Sequence, residues 1–267
     1  MIDFQKADVE FESFEPSSGS WSEWLAGRRQ PVVHLGVWAA RAMNGHQTPT
    51  KLGGVVVHPA EVILGLRAWD DAYEGVDCFG EDPGEGPWVL FDLEKIIRMM
   101  LRQSGLALEI LASPVAAAPD ELADGLETGR IVNAAITVGI LHHYADLVRS
   151  GRRRLARLGS EFDAAELLET VRAGLTGLEL ASGRFDVSLG RLLERRDDRE
   201  LDDVVDELRS QAVLSNTAVD VLDHRFDRWL DSLDTAEGTP LPDEPADYDW
   251  LHEYLIERRF QFSEYRS

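Results

Sequence analysis

The sequence predicts an α+β fold, and three observations carry that reading. Between about Val32 and Pro114, short β-branched runs alternate with turn signals, one segment inside that stretch has the spacing of a buried helix face, and from Asp120 onward apolar residues recur at helical intervals. The expected parts are an N-terminal appendage over residues 1–29, an α/β unit over 30–118 and a helical C-terminal domain over 119–267. A chain of 267 residues buries roughly 70 to 75 percent of its unfolded surface, as one large domain or two smaller ones.

The strands follow from composition and punctuation. Pro31 precedes the run Val32-Val33-His34-Leu35-Gly36-Val37-Trp38, and a loop of small and polar residues extends from Ala39 to Thr50. Lys51-Leu52-Gly53-Gly54 then leads into Val55-Val56-Val57, closed by His58-Pro59. The acid-rich run Asp70, Asp71, Glu74, Asp77, Glu81, Asp82 and Glu85 reads as a solvated loop. The glycines and prolines from Gly80 to Pro87 read as a turn before the strand Trp88-Val89-Leu90-Phe91. Leu93, Ile96, Ile97, Met100 and Leu101 then share one helix face, with Asp92 placed as its N-cap and Ser104-Gly105 as its end.

The helical part begins with one or two helices over Ile131 to Leu158. Ala164 to Leu180 repeats Leu167, Leu168, Val171, Leu175 and Leu178, and Ser182-Gly183 supplies its stop. Leu201 to Leu208 and Ala212 to Leu233 follow, and the proline-rich acidic stretch Ala236 to Asp249 reads as a loop before a last helix, Trp250 to Phe260.

Charge narrows the partners. Lys and Arg total 27 against 49 Asp and Glu, a net of −22, so the field opposes a polyanion and no non-specific nucleic-acid binding is expected. The basic run Arg152-Arg153-Arg154 with Arg157 reads as a solvated helix end. A lone cysteine, Cys78, excludes an internal disulfide and a multi-cysteine zinc site. The start Met1-Ile2-Asp3-Phe4 carries no basic leader and no run of about 18 apolar residues occurs, so a cytoplasmic location away from membranes is expected.

Several of these stretches together resemble the polymerase-beta-superfamily nucleotidyltransferases, in particular the bacterial and phage group linked to RNA repair. Gly36 falls where that family has the glycine of its Gly-Ser signature, and Gly54-Val55-Val56-Val57-His58-Pro59 looks like its second strand and following turn. Phe91 to Arg98 and Leu108 to Pro114 are similar to its next helix and segment. Val171 to Leu180 and Pro240 to Pro245 are similar to its helical region and late proline turn, so the likeness runs from about Val32 to Phe260. The resemblance implies a small mixed β-sheet with packed helices, followed by the helical domain.

It also implies three carboxylates, two at i and i+2 on one strand and a third on a neighbour, holding divalent ions against nucleotide phosphates. Here the matching positions carry Pro49, Lys51 and Pro87, and the signature serine is Val37. Family positions favouring lysine and histidine are Ala165 and Glu169, whereas Asp163 and Arg172 remain. The expectation is therefore a catalytically degenerate protein without a metal or other cofactor. Gly36, Val37, Trp38, Lys51, Asp163 and Arg172 are its candidate contacts to a nucleotide or phosphate ligand. The alternative is an active nucleotidyltransferase using magnesium and a nucleoside triphosphate, with Asp77 or Glu81 reaching the cleft beside Gly36. A third reading is a subunit that pairs with a protein partner or an active paralogue through Trp21, Trp24 and Trp38. His34 reads as a core or edge histidine, His58 as a turn residue, and the His142-His143 pair as unsuited to a joint metal site, because adjacent helical residues diverge.

Overall fold

The computed structural model describes residues 32–38, 51–65, 69–78, 85–112, 115–117, 126–158, 164–210 and 214–264. The strands are β1 (Val32–Trp38), β2 (Lys51–Val56), β3 (Ala72–Cys78), β4 (Glu85–Asp92) and β5 (Val115–Ala117). The helices are α1 (Ala60–Leu64), α2 (Leu93–Leu101), α3 (Gly105–Ala112), α4 (Thr128–Ala135), α5 (Ile140–Leu158), α6 (Ala164–Ala181), α7 (Leu189–Glu194), α8 (Arg199–Ser210), α9 (Asn216–Thr235) and α10 (Tyr248–Glu264). The fold is α+β.

The strands form one sheet in the order β3-β4-β2-β1-β5. Only β2 and β4 run parallel, and the other pairs are antiparallel, so the sheet is mixed. Val55, Val56 and Leu90 are buried in its centre, as the apolar runs around them suggest. The acid-rich run departs from its expected loop: Glu74 and Asp77 lie on β3 and Glu85 opens β4, with Cys78 opposite Glu85. The segment Ala72-Tyr73-Glu74-Gly75-Val76-Asp77-Cys78 has little apolar alternation of its own, and the pairing with β4 makes it a strand. The three-residue β5 and the short helices α1 and α7 were likewise below what periodicity resolves.

Asp92 caps α2 as expected, its side chain accepting from the Glu94 N–H at 2.9 Å. Leu93, Ile96, Ile97 and Met100 are buried beneath it. Helix α3 lies so close to β2 that a Cβ on Gly53 would sit 2.5 Å from Cγ1 of buried Ile110. Gly53→Ala should therefore cost about 1 to 3 kcal/mol in urea unfolding, and Ile110→Ala, which removes Cγ1, should cost less in the Gly53→Ala chain than in the wild type.

Contacts group the described residues into two compact units that do not follow the boundary expected at 118/119. One unit holds β1 and the described residues from Lys51 to Ile136 and from Pro245 to Glu264; the other holds those from Thr137 to Glu244. Helices α4 and α10 thus pack with the sheet. The N–H groups of Ala246 and Asp247 donate to the Ala134 carbonyl at 2.9 and 3.3 Å, and the Glu127 N–H donates to the Tyr254 hydroxyl at 3.1 Å. Helical periodicity reveals a buried face but not its partner, so the neighbours of α10 are not legible from it.

In the helical unit, Val148, Leu168, Val171, Leu175, Leu222, Phe226 and Trp229 belong to one core of α5, α6 and α9. Helix α6 stops as read from the sequence: Gly183 has φ +78°, its N–H donates to the Leu180 carbonyl at 2.9 Å, and the Arg184 N–H donates to the Glu179 carbonyl at 3.0 Å. Among the described residues no single helix is long and apolar enough to cross a membrane.

Candidate functional site

Strand register assembles the positions singled out in the sequence. Across β1 and β2, Gly36 faces Gly53, Val37 faces Leu52 and Trp38 faces Lys51. Across the parallel pair β2 and β4, Leu52 faces Trp88, so Lys51 and Pro87 occupy the preceding step of neighbouring strands. Proline has no N–H to donate, and the pairing of β4 with β2 begins only at Trp88. On its other side Pro87 faces Val76.

The same end of the sheet carries acids. Asp77 faces Gly86 and Cys78 faces Glu85, and Glu85 precedes Pro87 by two residues, hence on the same strand face. Pro49, Glu81 and Asp163 lie outside the described residues. Arg172 belongs to α6 in the helical unit, where it is buried and its guanidinium donates to Glu169 at 2.9 Å through Nε. His34 is in β1 opposite Val55. His142 is exposed, and the His143 ring meets Tyr144 edge-on at 5.3 Å.

A second constellation in the sheet unit was not legible as a group. Asp92, wholly buried, sits where β4 turns into α2. Its Oδ1 accepts from the Glu94 N–H at 2.9 Å and from Nη2 of Arg259 at 2.7 Å. Its Oδ2 accepts from Nδ1 of His58 at 2.7 Å, from the His58 N–H at 3.3 Å and from Nη1 of Arg259 at 3.5 Å. With Nδ1 carrying the proton toward a carboxylate, Nε2 of His58 accepts from the Tyr73 hydroxyl at 2.8 Å. Arg259 also donates to the His58 carbonyl at 3.1 Å and to Glu94 at 3.0 Å. Trp69 closes the group, 5.1 Å from the His58 ring and 5.7 Å from Cζ of Arg259.

Burial alone would raise the Asp92 carboxyl. The His58 hydrogen bond, the charge of Arg259 and the Glu94 N–H more than offset that and hold it below its ordinary value. Every lone pair of Asp92 is thus aimed at a protein donor, which suits a clasp between β4, the His58 turn and α10 rather than a metal ligand. Asp92 and His58 each carry a local signal, a cap and a turn. Arg259 lies 167 positions from Asp92 with no local signal that ties it to either.

The family model described as the RNA repair pathway DNA polymerase beta family matches residues 49–257, more than half of the chain. The chain belongs to the RNA repair pathway DNA polymerase beta family. The matched range opens at Pro49 and spans β2 to β4, His58 and Asp92. Among solved structures, the chain is similar to a nucleotidyltransferase-like protein from Exiguobacterium sibiricum 255-15, at 11% identity and a TM-score of 0.35, over 84% of this chain and 76% of that one. No curated protein matches the chain.

Proposed function

We propose that this family member is catalytically degenerate and binds a nucleotide or related phosphate ligand without a metal ion. The observation that carries the reading is the step of neighbouring strands shared by Lys51 and Pro87, beside Trp38. Neither side chain offers an oxygen to a divalent cation, and an ammonium repels one at close range while attracting phosphate. In this reading Gly36, Val37, Trp38 and Lys51 form the ligand contact, and no cofactor is needed.

A radiolabelled nucleoside triphosphate carrying its label at the α-phosphate is the direct probe. With magnesium or manganese and RNA, protein or small hydroxyl acceptors, no label is expected to transfer. Lys51→Ala is expected to weaken nucleotide binding by about tenfold or more.

A second reading, an active enzyme with magnesium and relocated carboxylates, is favoured by the position of Glu85 on the strand face of Pro87 and of Asp77 opposite Gly86. Metal-dependent transfer that survives Lys51→Ala and disappears in Glu85→Gln or Asp77→Asn would establish it instead. Absence of both transfer and nucleotide binding would point to a protein partner or an active paralogue.

A further inference from the structure

The helical unit contains a second cationic feature. At the end of α6 and just beyond it, the side chains of Glu179 and Asp186 are almost fully buried, at 4% and 3% exposure. Four arginines surround them. Arg184 donates to Glu179 through two bonds of 2.7 and 3.2 Å. Arg195 stands 3.5 Å from Glu179 and 3.1 Å from Asp186, and Arg191 stands 3.1 Å from Asp186. Arg196 lies 3.8 Å from Glu179.

Two carboxylates do not neutralise four guanidiniums. Asp186 is further engaged by the Ser188 N–H at 2.9 Å. Asp198, whose charge also acts on Arg196, hydrogen-bonds Arg225, which pairs with Glu200 as well. The Nε atoms of Arg191 and Arg196 are buried without a hydrogen-bond partner among the described residues. Burial, only partly offset by Glu179, holds the Arg196 guanidinium below the usual arginine value. A partly desolvated guanidinium gains more from an oxyanion than one in water does. Arg184 and Arg195, 62% and 43% exposed, leave the cluster open to a solute.

We infer that Arg184, Arg195 and Arg196 form a phosphate site in the helical unit, taking the dianionic phosphate group of a small molecule on the guanidinium edges that face solvent. The site shares no residue with the Lys51 region, so it stands or falls independently of the nucleotide reading.

Inorganic phosphate and pyrophosphate are the probes, titrated at ionic strength held constant with chloride. The readouts are the thermal unfolding midpoint and the arginine Nε–Hε signals in nitrogen-resolved NMR spectra. In the wild type and in Lys51→Ala, the midpoint is expected to rise by several degrees and the Arg191 and Arg196 signals to shift. Both responses should vanish in the double variant Arg184→Gln/Arg195→Gln, whose exposed positions preserve the helical circular dichroism. An equal response to chloride, no response up to the solubility of the salts, or a response that persists in the double variant would overturn the assignment and leave the cluster as a brace between α6 and α7.

Discussion

Asp92→Asn is expected to destabilise the protein by about 3 to 5 kcal/mol, because it removes the charge that compensates a buried arginine. The Arg259 side chain is 9% exposed and Asp92 itself fully buried. Asparagine still caps a helix well, so the loss reports the ion pair together with the His58 hydrogen bonds and not the α2 cap. The charge on Asp92 also gives the stability a pH limb. Its carboxyl is held below the ordinary value of 3.8, so the unfolded chain takes up this proton at higher pH than the folded one. The stabilisation is complete above the unfolded value and is lost as pH falls through the lower folded value. Urea unfolding from pH 7 downward should therefore show the gap between wild type and Asp92→Asn narrowing below about pH 4. A constant gap across that range would show that the pair does not hold α10 to the sheet.

Gly174→Ala is expected to destabilise the helical unit, although alanine in a helix interior ordinarily gains up to about 1 kcal/mol over glycine. A Cβ at this position would lie 2.4 Å from Cε3 of Trp229 and 3.1 Å from Cγ2 of Val148. The indole is itself packed against Phe226, at 5.6 Å between centroids, so it has little freedom to withdraw. The steric cost should outweigh the propensity gain and leave a net loss of about 1 to 3 kcal/mol. Thermal unfolding monitored by tryptophan fluorescence checks it. A midpoint equal to or above wild type would mean that α6 and α9 are not in the close contact described.

What was legible in the sequence was whatever local chemistry encodes. Asp92 as a cap, Gly183 as a stop, and the Leu93, Ile96, Ile97 and Met100 stripe each depend on residues within a turn or two of one another. Strand β3 was not legible, because Glu74 and Asp77 make it read as a solvated loop until β4 pairs with it. The membership of α10 in the sheet unit was hidden for a related reason: Tyr254 and Arg259 find partners more than a hundred positions away. At the candidate site, the sequence placed Gly36, Trp38 and Lys51 on facing strands through the resemblance, and pairing then brought Pro87 beside Lys51. The clasp of His58, Asp92 and Arg259 needed the fold, since none of its three members implies the other two.

In the proposed function the Lys51 region recognises phosphate without a metal ion. Calorimetric titration with ATP, CTP, GTP and UTP, each in the presence of magnesium, manganese or a chelator, tests it most directly. At least one nucleotide is expected to bind in chelator and to bind more weakly to Lys51→Ala. Binding that appears only with magnesium or manganese would contradict it and restore a carboxylate-built metal site to this sheet.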